Sequence, residues 1–365
     1  MLGRRQFVVG AGALAVAAPL LVGCSSGSPV EDAARRLRRP DAVNTGERAL
    51  LLGELVRHAT LAPSSHNTQC WKFHVQDGVI TIAPDFARRC PAVDPDDHHL
   101  FVSLGCAAEN LAQAALANGL QASASFDPAG DGAVVVQLEA TKAHDSPLFQ
   151  VIAERQCTRG DYDGRPLPSV ELRLLEQAGS GNGVRVLLLT ERSAMETVLD
   201  YVVAANTAQI DDPAFIDELK MWIRFSNDEA IRTGDGLFAG ATGNPAVPRW
   251  LGSRMMGLFF TAKSENERYA RQIRNSAGVA VFVSEVSDKA HWVETGRCYE
   301  RFALQATALG IRNALLNQPV EVAALRPQFA AAIGLGDRRP DLVVRFGRGP
   351  GMPLSMRRPV QSVLV

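Results

Sequence analysis

A short segment at 62–73, APSSHNTQCWKF, is rich in small hydrogen-bonding side chains that suit a polar ligand. A proline stops the predicted helix before it and a predicted strand begins at Trp71, so the segment reads as a turn. Turn geometry explains one or two polar residues, but not four. Together, their donors and acceptors match a ribityl chain or the pyrimidine edge of a flavin. The four candidates are Ser64, Ser65, Asn67 and Gln69.

A second segment, ERQCTR at 154–159, carries two guanidinium groups four residues apart. Arg155 and Arg159 share one face whether the segment is extended or helical, and Cys157 lies between them. Such a face binds a phosphate monoester, or a heterocycle that gains negative charge on reduction. A solvated pair of arginines is the alternative, and the spacing alone leaves it open.

The chain contains an internal repeat. GCAAENLAQAALANGL at 105–120 aligns without gaps with GRCYERFALQATALGI at 296–311. Each copy predicts an Ala-rich helix that ends at a glycine in a left-handed cap. A strand of similar character follows each helix, at 134–138 and 342–346. Glycine and alanine in such helices indicate close packing against a neighbour, so the repeat informs on architecture and not on chemistry.

Helices and strands mix in each half without regular βαβ alternation, which predicts an α+β fold. We expect a tandem α+β sandwich whose two copies, at 45–143 and 148–365, pack like a fused homodimer, a pseudo-dimer. Within copy 2, the segment 191–266 is longer than a connector needs. Its apolar residues predict helices that can cover a bound flavin.

The N-terminus is typical of an export signal. Arg4 and Arg5 precede an uncharged Ala/Gly-rich run, and a Leu-x-Gly-Cys sequence ends at Cys24. This order predicts a twin-arginine signal of lipoprotein type at 1–24, a lipid anchor on Cys24 and a tether at 25–44. We therefore expect a protein of the cell envelope that has folded, and taken up any cofactor, before export. A chance arginine pair is the alternative.

Composition limits the class of protein. With 365 residues, 46% of them hydrophobic, and a formal net charge of -1, the chain is globular and shows no sign of nucleic-acid binding. The five cysteines after Cys24 are scattered and lack C-x-x-C spacing. They therefore predict small buried residues and not a disulfide framework or a structural zinc site.

The run DPDDHH at 94–99 resembles a metal cluster by composition. It also precedes an Ala-rich helix, where acidic residues are expected because they complement the helix dipole. The second interpretation predicts that no metal is bound there.

Three motifs resemble the nitroreductase family of FMN proteins. The segment at 62–73 is similar to the APSSxNxQPWxF signature of that family, and RQCTR at 155–159 is similar to its RxSxR motif. MRRP at 356–359 resembles its C-terminal RRP. The double length, which covers about 50–360, resembles the Acg-like subgroup.

The resemblance implies one FMN, bound where the polar turn of copy 1 meets the arginine motif of copy 2. Copy 2 offers only AGSGN at 178–182 in place of the turn, so the other site is expected to be degenerate. Cys157 replaces the usual serine and Cys70 the usual proline. The implied roles place Arg155, Arg357 and Arg358 near the phosphate, Arg159 beside the flavin N1/O2 edge, and Ser64, Ser65, Asn67 and Gln69 on the copy 1 side.

The same resemblance implies an oxidoreductase in which NAD(P)H or another donor reduces FMN. The flavin N5 then passes electrons to a nitroaromatic, a quinone or a similar small acceptor, without an acid-base residue of the protein. A protein that stores or sequesters FMN under a closed cover is the alternative.

Overall fold

The structure is a computed structural model that describes residues 28–39 and 48–365. The predicted export signal and Cys24 lie outside the described residues. Part of the predicted tether is a helix, α1 (Pro29–Arg38), because Ser28 caps its N-terminus and arginines occupy its last turn. Val30 and Ala34 of α1 are buried against Phe238 and Met356, so the helix is part of the fold.

The first half forms an antiparallel sheet with the strand order β1-β2-β4-β3. In β1, Trp71 and Phe73 are buried while Lys72 and His74 are exposed, as the two-residue period of a strand requires. The elements are α2 (Arg48–Thr60), β1 (Trp71–Gln76), β2 (Val79–Pro84), α3 (His98–Ala117), β3 (Leu120–Asp127) and β4 (Ala133–Ala140). Among the described helices, only α3 is apolar and long enough to cross a membrane, and most of it is buried in the core.

The second half repeats the same strand order, β5-β8-β10-β9. Every residue of β8 and β10 is buried, because these central strands are covered on both faces. The elements are α4 (Pro147–Gln150), α5 (Ser169–Ala178), β5 (Val184–Leu189), α6 (Arg192–Ile210), α7 (Pro213–Trp222), β6 (Ile223–Arg224), α8 (Asn227–Thr233), β7 (Leu237–Phe238), α9 (Arg249–Phe259), α10 (Ala262–Arg274), β8 (Gly278–Ser284), α11 (Lys289–Ala308), β9 (Arg312–Leu315), α12 (Gln318–Glu321), α13 (Arg326–Ala332) and β10 (Pro340–Gly347).

The two halves therefore share one α+β architecture, as predicted. The predicted cover corresponds to α6–α10, with the short strands β6 and β7 inserted, and it extends beyond 266 to Arg274.

The repeat helices α3 and α11 cross at two equivalent glycines. A Cβ on Gly105 would overlap the carbonyl oxygen of Val293, and a Cβ on Gly296 would overlap that of Val102. The two contacts are equivalent by a pseudo-two-fold rotation, as expected at an isologous interface. The predicted close packing of the repeat is confirmed.

Both repeat helices are longer than predicted at their N-termini. They begin at His98 and Lys289, and not at the aligned glycines, because those glycines are contact points in mid-helix. At the other end, Gly119 and Gly310 have φ values of 76° and 69°, so the predicted left-handed caps are confirmed.

Two segments outside the numbered strands extend the sheets. The Phe73 amide donates to the Val363 carbonyl at 2.8 Å, so the end of the chain pairs with β1 of the first half. The Thr158 amide donates to the Asn313 carbonyl at 2.8 Å, which places the arginine motif along β9. These pairings cover two sheet edges and fix the arginine motif close to the joint between the halves.

Candidate functional site

A cavity of about 370 Å³ lies where the two halves and the cover meet. The first half contributes the polar turn and one face of α3, and the second half contributes Arg159 and Tyr299. The cover supplies apolar walls that include Phe225, Met255 and Phe260. The mixture of a polar end and apolar walls suits a planar ring system with a polar edge.

The polar turn has a strained backbone that long-range hydrogen bonds hold in place. His66, Asn67 and Gln69 have φ values of 49°, 54° and 54°, in the left-handed region that residues other than glycine rarely adopt. Asn67 Nδ2 donates to the Gly236 carbonyl at 3.0 Å, and Gln69 Nε2 donates to that of Gly234 at 2.9 Å.

The four predicted turn residues fall into two groups, one that binds the backbone of the cover and one that lines the cavity. Asn67 and Gln69 are buried outside the cavity wall and bind the backbone of the cover, while Ser64 and Ser65 line the cavity. Ser64 Oγ also accepts from the Gln69 amide at 2.9 Å, which closes the turn.

Arg155 and Arg357 are buried in the joint between the halves. Arg155 Nε lies 3.0 Å from Glu300 Oε1, and its Nη2 donates to the Leu61 carbonyl at 2.7 Å. Arg357 donates to the Thr60 carbonyl at 2.8 Å and to Asn67 Oδ1 at 2.9 Å. Both guanidiniums thus satisfy the end of α2 and the polar turn, and neither lines the cavity. Their role at a phosphate stays a prediction.

Arg358 and Cys157 also lie outside the cavity wall. The Arg358 amide donates to Gln69 Oε1 at 2.8 Å, and its Nη2 donates to the Ser362 carbonyl at 2.8 Å. Cys157 is half-buried and pairs through its backbone with Asn313. The other described cysteines, Cys70, Cys90, Cys106 and Cys298, are buried and free, as predicted.

Arg159 is the predicted arginine that lines the cavity. Within 28–39 and 48–365, its guanidinium has neither a hydrogen-bond nor an ion-pair partner, although its backbone carbonyl accepts from Gln272. A half-buried positive charge beside a cavity, with no protein anion to neutralise it, favours an electron-rich ligand. The structure therefore brings together Ser64, Ser65 and Arg159 from the predicted set.

His66 lines the same cavity, although the sequence analysis did not select it. Its Nε2 is buried and has no partner among the described residues. Burial, followed by the charge of Arg159, lowers the pKa of His66 to about 4, so the imidazole is neutral at pH 7. Its position inside the SSHN motif was the signal that could have identified it.

The corresponding turn of the second half is much shorter. It spans 179–183 between α5 and β5, whereas the polar turn spans 61–70 between α2 and β1. Arg301 Nη1 lies 2.8 Å from Glu109 Oε2 beside it, and Arg301 Nε donates to the Ala178 carbonyl. Protein groups thus satisfy the charges at this equivalent position. The predicted degenerate site is consistent with this arrangement.

Comparison with known proteins gives a sequence relationship over most of the chain. Two proteins from Mycobacterium tuberculosis strains CDC 1551 and H37Rv, each described as "Putative NAD(P)H nitroreductase", are 24% identical over 321 residues. The similarity covers 84% of this chain and 88% of each relative. No protein-family model matches the chain.

Solved structures show more distant similarity. A nitroreductase with bound FMN from Desulfitobacterium hafniense is 18% identical, with a TM-score of 0.37, and covers 57% of this chain and 93% of its own. An FMN-dependent nitroreductase from Mycobacterium smegmatis in complex with NADPH is 14% identical, with a TM-score of 0.36, and covers 56% and 87%. These TM-scores are too low to support an argument about this chain. The sequence relationship, by contrast, spans both halves and confirms the predicted resemblance to the nitroreductase family.

Proposed function

We propose that the chain binds one FMN in the cavity between its halves and is an oxidoreductase of nitroreductase type. The observation that carries this proposal is the guanidinium of Arg159, which has no partner among the described residues and shares a cavity wall with Ser64, Ser65 and the equally unpartnered Nε2 of His66. The two Mycobacterium tuberculosis relatives, which are described as NAD(P)H nitroreductases, support NAD(P)H as the electron donor. A nitroaromatic, a quinone or a similar small molecule is the proposed acceptor.

The residues of this cavity fit the group. FMN, when bound, supplies the hydride chemistry. The positive charge of Arg159 stabilises the negative charge that a flavin ring gains on reduction. The serine hydroxyls and the neutral His66 supply donors and acceptors, while Phe225, Met255 and Phe260 exclude water.

Arg159→Ala is expected to weaken FMN binding by roughly 10- to 100-fold, because a hydrogen bond to a charged group contributes about 1.5–3 kcal/mol. The dissociation constant of FMN, measured by quenching of flavin fluorescence, checks this. Asp96→Ala is the control, since Asp96 pairs with Arg339 at the surface and does not line the cavity. Equal affinity in the Arg159 variant and the wild type would remove the main support for the site.

A second function, sequestration of FMN without turnover, is favoured by the cover. Side chains of α7, α9 and α10, such as Leu219, Met256 and Tyr269, line the cavity and restrict entry of a second substrate. Anaerobic mixing of the FMN complex with NADPH, and separately with NADH, distinguishes the two functions. Prompt loss of the oxidised flavin absorbance supports the enzyme. An unchanged spectrum that only dithionite bleaches supports sequestration.

We also propose export by the twin-arginine route and lipid anchoring at Cys24. The support is the order of Arg4-Arg5, the apolar run and Cys24 in the sequence. Cys24→Ser is expected to move the protein from the membrane fraction to the soluble fraction. A wild-type chain that is already soluble would contradict the anchor.

A further inference from the structure

A buried cluster of possible metal ligands lies at the N-terminus of α3. One ligand atom each from Asp94, His98 and His99 lies within 4.8 Å of the others. Asp94 caps this helix, because its Oδ1 accepts from the His99 amide at 3.0 Å and its Oδ2 from the Leu100 amide at 2.9 Å. A carboxylate has about four lone-pair sites, so capping leaves Asp94 with free ligand positions.

The hydrogen bond of His98 determines which ring nitrogen carries no hydrogen. His98 Nε2 lies 2.9 Å from Asp341 Oδ1. An ionised carboxylate can only accept, so Nε2 carries the hydrogen and Nδ1 presents a lone pair. This Nδ1 is buried and has no partner among the described residues. The same arrangement, a carboxylate that holds one nitrogen of a histidine, orients metal-binding histidines in proteins.

His99 is the third member of the cluster. Its Nε2 lies 3.4 Å from the Asp341 carbonyl oxygen, an acceptor, and 3.5 Å from Asn317 Nδ2, a donor, so these two contacts do not fix which ring nitrogen carries the hydrogen. That Nδ1 has no hydrogen-bond partner in the described chain and lies 3.9 Å from Asp94 Oδ1 and 4.0 Å from Glu321 Oε1. A buried nitrogen that faces two carboxylates needs either a hydrogen of its own or a cation between them.

Although the sequence analysis predicts no metal at 94–99, we propose that Asp94, His98 and His99 bind one divalent transition-metal ion of the zinc class. Glu321, whose Oε1 lies 4.0 Å from His99 Nδ1, is the proposed fourth ligand. Bonds of about 2.1 Å in a tetrahedral site separate two ligands by roughly 3.4 Å, so the His99-to-carboxylate gaps need to shorten by only about 0.5 Å. Two imidazoles with two carboxylates favour zinc over calcium or magnesium, which prefer oxygen ligands.

The position of the cluster gives the ion a structural role. Asp94, His98 and His99 belong to the first half, whereas Glu321 is the last residue of α12 in the second half. His99 and Glu321 also line the large cavity. The ion would therefore join the two halves at the cavity wall and fix that wall for a ligand.

The test is the metal content of residues 28–365, measured after dialysis against a chelator and reloading with zinc. We expect about one zinc per chain in the wild type and a loss of about tenfold or more in His99→Gln and in Glu321→Gln. His74→Gln is the control, since His74 is exposed on β1 and should bind as the wild type does. EDTA should lower the melting temperature of the wild type and of the control, but not that of His99→Gln.

Cobalt provides a second readout that needs no variant. The wild type loaded with Co²⁺ should show the intense visible bands of a tetrahedral site. Zinc content at background in the wild type, or equal content in the wild type and both ligand variants, would overturn the proposal. A proton on His99 would then be the charge that the two carboxylates face.

Discussion

Replacing Gly105 with alanine is expected to destabilise the fold by more than about 3 kcal/mol, at the upper end of the cost of overpacking. The new Cβ would overlap the Val293 carbonyl oxygen and lie 2.8 Å from its carbonyl carbon, and both are backbone atoms of α11. A backbone cannot rotate away as a side chain can, so α3 and α11 must separate. Because this crossing joins the two halves, the cost is expected to affect the whole molecule. Urea denaturation followed by circular dichroism measures the change.

Two matched variants make this test specific. Gly296→Ala should cost about as much as Gly105→Ala, because its Cβ would meet the Val102 carbonyl in the equivalent way. Gly53→Ala lies in α2 with no atom within 4 Å of the new Cβ, and should stabilise by about 0.5–1 kcal/mol through helix propensity. Similar stability of all three variants would contradict the close two-fold packing of α3 against α11.

Arg155→Met is expected to lower the free energy of unfolding by about 3–5 kcal/mol at neutral pH, because it leaves the carboxylate of Glu300 buried without its cation. Burial raises the pKa of Glu300 to about 7 even with Arg155 beside it. A group with a raised pKa in the folded state contributes its full stability below its unfolded pKa and loses it as the pH rises through the folded pKa. Without Arg155 the folded pKa rises further, so the cost of the substitution should increase between about pH 5 and pH 8.

Unfolding free energies of the wild type and of Arg155→Met, measured at these two pH values, show whether the destabilisation increases with pH as predicted. The double variant Arg155→Met/Glu300→Gln is the control, because it removes the ionisable group that causes the pH dependence. The extra cost at pH 8 should then disappear. A cost that is the same at both pH values would show that the buried ion pair does not carry the stability of this joint.

Much of the fold follows from local patterns in the sequence. The Ala-rich repeat, its capping glycines and the alternating strands predicted both halves and their packing, because each is a short-range signal. The four-residue strand β9 (Arg312–Leu315) was missed, since it is too short to show a period. The starts of α3 and α11 were also misplaced, because a glycine at a helix crossing looks like a boundary in the sequence.

The site was harder to predict, since its residues divide according to distant partners. Spacing placed Arg155 and Arg159 on one face, and the structure separates them because Glu300 and the Leu61 carbonyl bind only Arg155. The sequence gives no indication of that choice, which depends on contacts about a hundred residues or more apart. His66 was overlooked for a similar reason: its importance comes from a buried nitrogen without a partner, which only the fold creates.

The interface between the two halves is symmetric, whereas the candidate ligand site is not. The glycine crossing and the buried acids Glu109 and Glu300 occupy equivalent positions in the repeat, and each acid lies beside an arginine of the second half. The polar turn of 61–70 and the cover have no equivalent of the same length in the other half. The consequence, within the part of the chain that the structure describes, is a cavity at one side of the interface whose wall includes a guanidinium without a protein partner, and this is the basis of the proposed stoichiometry.

The most direct test of the account is the number of FMN molecules that one chain binds. Titration of the protein with FMN, with bound flavin separated by gel filtration and counted by its visible absorbance, is expected to give one FMN per chain. Two FMN per chain would contradict the single site between the halves, and no binding at all would contradict the proposed cofactor.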